Sequence, residues 1–359
     1  MSPDSRVHAA DPASPAAPLA SQRCVQCASE FPLDALVCPS CRRFVHAAEL
    51  ERLASEASAA AALGNATAEL AAWRAMLTFL PTSARQRAVV EHKVRALSND
   101  VDARSAPGSG VRAWFRKGAS GLGAGGLILW KFKALAIFAL AKIKFLLLGL
   151  TKLPTMFSML VTMWIYALGF GWKFVVGFVL SIYVHEMGHV AALERFGIPA
   201  TAPMFIPGFG ALVRLRQAPA TRVEDARIGL AGPLWGLGAA LACASVYLLT
   251  HASIWAALAR TGGYLNLFNL IPFWQLDGSR GFNAMSRAQR WAAVGVVALA
   301  WLLTHENLLF FVGAVGAYRA GFSAPAPEPD ARTLGEFAFL TAMLSGIAYF
   351  GGQITSGNS

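Results

Sequence analysis

Trp172 to Val184 is an almost unbroken apolar run that leads straight into His185-Glu186-Met187-Gly188-His189. That junction restricts the fold more than any other feature of the chain. The apolar run reads as a membrane-embedded helix, and on a helix residues four apart share one face. Both imidazoles can then meet one zinc ion, with Glu186 beside the open coordination position. Zinc lowers the pKa of a bound water, and a neighbouring carboxylate takes its proton as the water attacks a carbonyl. Five matched letters can arise by chance, but ionisable residues inside a membrane segment are costly and usually functional. Here three of them cluster at helical spacing.

The rest of the chain suits a membrane setting. Its 359 residues allow two or three domains, and 55% are hydrophobic against 14% charged, the balance of a polytopic membrane protein. The net charge of +11 raises nucleic-acid binding as an option, but the basic residues flank apolar segments. Arg104, Arg112, Arg116 and Lys117 precede them, and Arg214, Arg216, Arg222 and Arg227 lie between two of them. This is the pattern of cytoplasmic loops and argues against a nucleic-acid partner. No apolar stretch with a cleavage site appears in the first hundred residues, so the N-terminal part is expected in a reducing cytoplasm. An inner (plasma) membrane location follows as the expectation.

Residues 1–20, rich in Pro, Ala and Ser, read as a disordered tail. Residues 21–45 carry Cys24-x-x-Cys27 and Cys38-x-x-Cys41, the spacing of a zinc ribbon. Four thiolates satisfy a tetrahedral structural zinc, which would hold so short a segment folded. Two disulfides are the competing reading, disfavoured in a reducing compartment. Cys243 stands alone in an apolar helix and reads as core. Residues 46–100 turn helical, and Gly64-Asn65, Glu69-Leu70, Trp73-Arg74, Leu77 and Leu80-Pro81 resemble the second half of a tetratricopeptide motif. A plain helical hairpin fits equally well. Residues 21–100 together would offer a surface for a cytoplasmic protein partner. Residues 101–125 form a basic linker, and the apolar stretch 127–150 carries Lys131, Lys133, Lys142 and Lys144, which suits an interfacial helix.

The membrane core is expected over 126–322, with spans at 154–170, 173–196, 228–249 and 254–276. A shorter pair follows at 291–304 and 308–318. Residues 323–335 are a Pro-rich linker, and 336–359 hold a last apolar segment, short for a span, and a tail. With a cytoplasmic N-terminus, the second and fourth spans both end in the cytoplasm. His185 would then lie about 16 Å inside that face. The fourth span ends Asn269-Leu-Ile-Pro272-Phe-Trp-Gln-Leu-Asp277-Gly278. Asp277 is therefore a candidate third zinc ligand, and two His plus a carboxylate make a catalytic set. The alternative is that Asp277-Gly278 is a common turn pair.

His185-Glu-Met-Gly-His189, Asn269-x-x-Pro272 with Asp277-Gly278, and Gly232-Pro233 between them resemble the site-2 protease family of intramembrane zinc metalloproteases. The resemblance covers roughly residues 156–281. It implies that His185, His189 and Asp277 hold the catalytic zinc, Glu186 is the general base, and Asn269 positions substrate or stabilises the oxyanion. Family members cut membrane proteins in or near transmembrane segments. Gly236 and Ser279 depart from the family pattern without touching a ligand or the base. The stretch Met204–Arg216 reads as a strand or hairpin able to pair with an extended substrate, so Phe205 and Gly210 join Asn269 and Pro272 as substrate-binding candidates. The expected fold is mainly α: a membrane helix bundle with a short β element near the site, a zinc ribbon and a helical hairpin. The competing function is a catalytically silent membrane scaffold that binds partners through its ribbon and helices. Retention of Glu186 weighs against it.

Overall fold

A computed structural model describes residues 21–32, 35–82, 84–105, 153–199, 204–206, 210–212 and 217–356. The expected tail, the lysine-bearing apolar stretch 127–150, most of the basic linker, and Arg214 and Arg216 lie outside the described residues. The chain starts with strands β1 (Ser21–Arg23) and β2 (Glu30–Pro32), paired antiparallel. Three helices follow: α1 (Ala47–Ala62), α2 (Ala66–Met76) and α3 (Arg85–Ser105). The expected hairpin is thus a three-helix unit, and α3 runs past residue 100. His46 meets Phe44 edge-on and Phe79 at a tilt, 5.1 Å from the latter ring, and ties the ribbon to the turn after α2.

The apolar part begins with α4 (Leu153–Ala167) and α5 (Trp172–Arg195). Gly197, at φ +65°, ends α5 in a Schellman motif: Ile198 N–H bonds Leu193 O at 2.9 Å and Gly197 N–H bonds Glu194 O at 3.0 Å. A hairpin of β3 (Met204–Ile206) and β4 (Gly210–Leu212) packs along α4 and α5. Then come α6 (Arg222–Thr250), capped by the Thr221 hydroxyl, α7 (Ser253–Asn269) and the short α8 (Asp277–Asn283). A Ser286/Gln289 capping box starts α9 (Arg287–Thr304), which forms the expected hairpin with α10 (Asn307–Phe322). Last is α11 (Ala331–Ser356).

Helices α5, α6 and α11 are each long and apolar enough to cross a membrane. For α11 this corrects the expectation of a segment too short to span. The helix takes in residues 331–335, read from sequence as linker, and its inner hydroxyls are bonded within it: Thr341 donates to Phe337 O at 2.9 Å and Ser345 to Ala342 O at 3.1 Å. Side chains of α6 to α11 share one core built on Leu230, Leu267, Phe282, Val297, Val312 and Phe337.

The three-helix unit docks on the ends of the membrane helices. Leu70, Val90, Val94 and Val101 share a core with Leu193, Phe196, Ile198 and Ile228. Arg74 donates to Phe196 O at 2.9 Å and forms a buried ion pair with Glu224, whose other carboxylate oxygen accepts from Ser98 at 2.5 Å. Arg227, read from sequence as a loop charge, is instead buried within α6. It pairs with Asp102 at 3.0 Å, Asp330 at 2.8 Å and Glu336 at 3.4 Å, so three elements close around it.

Candidate active site

Two turns before its end, α5 turns His185 and His189 inward, with Glu186 between them in sequence. All three are at least 92% buried, and Asp277 is 7% exposed. The bonds on the far side of each ring fix the tautomers. His189 Nδ1 lies 2.8 Å from Ile228 O, a pure acceptor, so that nitrogen carries the proton. His185 Nδ1 lies 2.8 Å from Asn266 Oδ1, while Asn266 Nδ2 donates to Gly262 O at 2.7 Å, which sets the amide orientation. The proton again sits on Nδ1, leaving both Nε2 lone pairs directed at the same point.

Asp277 completes that point. It is the first residue of α8, and Gly278 stands so close to the Leu270 carbonyl that no Cβ fits there. The Asp-Gly pair is therefore a packing contact between α8 and the end of α7, beyond a simple turn. Asp277 Oδ2 is 3.1 Å from His185 Nε2, Oδ1 is 3.3 Å from His189 Nε2, and the two Nε2 atoms are 3.2 Å apart. Two imidazole nitrogens and a carboxylate facing one another form a donor set that could hold a cation between them. On a tetrahedral zinc with bonds of about 2.0 Å, neighbouring ligand atoms stand about 3.3 Å apart. The donor set fits zinc.

Two arginines hold the α8 segment. Arg280 Nε bonds Asp225 at 2.7 Å, tying α8 to α6. Arg319, from α10, bonds Ser279 Oγ at 2.9 Å, Asn283 Oδ1 at 2.7 Å and Pro272 O at 3.3 Å, bracketing Asp277 on both sides. Ser279, a departure from the family pattern, thus supplies an acceptor that glycine would lack.

The other sequence candidates lie around this centre without joining it. Asn269 is the half-buried last residue of α7, and Pro272 is buried with its carbonyl directed at Arg319. Phe205 pairs with Ala211 and Gly210 with Ile206 in the β3–β4 hairpin, an extended ladder beside α5. Sequence reasoning missed Asn266, the Ile228 carbonyl and Arg319. Asn266 alone carried a signal, as a polar residue one turn before Asn269 in an apolar helix.

The four cysteines form a second donor cluster. Cys24 and Cys41 Sγ are 3.6 Å apart, as are Cys27 and Cys38, and no pair is bonded as a disulfide. All four sulfurs lie within 4.8 Å of one another. Tetrahedral zinc–thiolate bonds of about 2.3 Å space sulfurs about 3.8 Å apart. The two knuckles repeat each other: Ala28 N–H returns to Cys24 O and Arg42 N–H to Cys38 O, both at 2.9 Å, with Ala28 and Arg42 at φ +58° and +59°. The Ser29 hydroxyl lies within hydrogen-bond reach of both Cys27 and Cys38, lowering the Cys27 pKa and holding Cys38 down to about 6, while Cys41 is pushed up to about 12.

Residues 173–252 match the family model described as Peptidase family M50. The match includes His185, Glu186, His189 and Gly232-Pro233 and stops short of Asp277, which the fold adds. The chain is 34% identical over 67 residues to "Probable zinc metalloprotease EGY2, chloroplastic" of Arabidopsis thaliana. That alignment covers 17% of this chain and 12% of the relative. The chain thus spans about an eighth of the length of the curated relative it matches. No solved structure matches the chain.

Proposed function

Starting from a chain that carries a Peptidase family M50 domain, we propose that it is an intramembrane zinc metalloendopeptidase that hydrolyses peptide bonds in or near transmembrane segments of other membrane proteins. The observation that carries this reading is the buried triangle of His185, His189 and Asp277, built on a helix able to span a membrane, with the buried Glu186 next to His185 in sequence. Those three residues would hold the catalytic zinc, which supplies Lewis-acid polarisation of a carbonyl and activation of a water. Asn266 and the Ile228 carbonyl hold the imidazoles in the required tautomer. Glu186 accepts the proton of the attacking water and returns it to the leaving amine. Asn269 donates its amide to the substrate carbonyl, where charge develops. Pro272 closes α7 below that point, and the β3–β4 hairpin, through Phe205 and Gly210, pairs with the substrate as an added strand. Extension of the substrate is needed because helical peptide bonds are shielded by their own hydrogen bonds.

The four cysteines would hold a structural zinc. With the three-helix unit they would form the surface offered to a cytoplasmic protein partner, on a topology with the N-terminus in the cytoplasm and the bundle in the inner membrane. The test compares membrane and released peptides from cells expressing wild type or Glu186→Gln at matched levels. Glu186→Gln should keep its zinc, and fragments of a membrane protein should appear with wild type alone. Identical profiles in the native host with zinc bound would favour the scaffold reading instead.

A further inference from the structure

We propose that Asn266 is the positioning residue of His185, and that position 236 is glycine because the Asn266 amide occupies the space its side chain would need. The inference rests on the metal reading given above. Asn266 is 1% exposed, set in α7 where that helix passes α5 and α6. Its Oδ1 accepts from His185 Nδ1 at 2.8 Å and its Nδ2 donates to Gly262 O, one turn back, at 2.7 Å. The amide cannot be reversed. Reversal would point an NH2 at the His185 N–H and set two carbonyl oxygens against each other. The tautomer of His185 is therefore fixed from outside the metal triangle, and its Nε2 lone pair stays free.

The pocket is matched to one amide. A Cβ on Gly236 would fall among the Asn266 amide atoms, 2.5 Å from Cγ, so positions 236 and 266 cannot both carry side chains without displacement. The neighbours Leu237 and Leu267 are buried and apolar. An amide in such surroundings is costly unless both its ends are bonded, as they are here. His189 has a different support, a main-chain carbonyl that no side-chain substitution removes. Among the described residues, the two imidazoles thus have one side-chain orienting group, Asn266.

The experiment uses full-length protein in detergent, loaded with Zn2+ and titrated with a competing chelator. The four-cysteine site is common to every variant and cancels in the comparison. Asn266→Leu keeps the volume and removes the acceptor, and should lower zinc affinity at the core site 10–100-fold. Asn266→Asp keeps an acceptor for the Nδ1 proton, although its second oxygen can reach Gly262 O only when protonated, and should lose less zinc affinity than Asn266→Leu. Gly236→Ala presses on the amide and should shift affinity in the same direction as Asn266→Leu. Should Asn266→Leu fail to fold, the other two variants carry the test. Wild-type affinity in Asn266→Leu, or equal loss in Asn266→Leu and Asn266→Asp, overturns the proposal. A wild type that holds zinc at the cysteines alone sinks the metal reading and this inference together. A wild type with both sites filled, matched by Asn266→Leu, sinks this inference alone.

Discussion

A hydrogen atom at Gly232 stands where any side chain would meet the inward nitrogens of both His185 and His189. The Gly-Pro element thus contributes by absence of bulk. Gly232→Ala should cost at least about tenfold in core zinc affinity, the scale seen when supports of a zinc site are disturbed, with little change at the cysteines. Zinc retained per chain under chelator competition reads this directly. Arg290 shows a different kind of residue-level dependence. It is fully buried, has no carboxylate partner among the described residues, and instead donates to the carbonyls of Phe282, Arg319, Ser323 and Ala324 at 2.9 to 3.2 Å. Arg290→Met leaves those acceptors bare, and should destabilise the protein by about 2–4 kcal/mol in thermal unfolding. The clustering of His185, His189 and Asp277 was legible in the sequence because a zinc site would dictate ligand type and helical geometry dictates spacing. Arg290 was not, since its partners are main-chain carbonyls, which every residue possesses.

Among the elements, those fixed by local chemistry matched expectation. The Gly197 stop of α5, the α9–α10 hairpin and the cysteine knuckles all follow from signals within a few residues. The length of α11 did not, because residues 331–335 read as the end of the Pro-rich linker. In the fold they are the first turn of the helix, where Arg332 Nε pairs with Glu336 at 2.8 Å. The ribbon invites a prediction at this scale. Two three-residue strands and a core of Cys24, Phe31 and Cys38 bury too little to fold alone. Cys38→Ser should release one equivalent of zinc and open residues 21–45 to limited proteolysis. Glu186-dependent cleavage of substrate should survive, since the two donor clusters share no residue.

Across the whole molecule, the N-terminal unit is built into the membrane core. Arg74 and Glu224 lie 150 positions apart, both nearly fully buried, and no local pattern announces their pairing. Removing one partner strands the other charge, so Arg74→Met should destabilise by about 3–5 kcal/mol. The double variant Arg74→Met, Glu224→Leu should recover most of that loss, and a double-mutant cycle of thermal unfolding measures the coupling. The same arrangement reaches the metal site, because Arg227, bound to Asp102, immediately precedes the Ile228 carbonyl that orients His189.

Synthesis runs from the N-terminus, so Arg74 and the apolar faces of Leu70, Val90 and Val94 emerge before the helices that cover them. Until α5 and α6 are in the bilayer, the early unit is an unfinished surface with an unmatched charge. Chains whose membrane helices fail to insert would leave those apolar faces and the Arg74 charge uncovered.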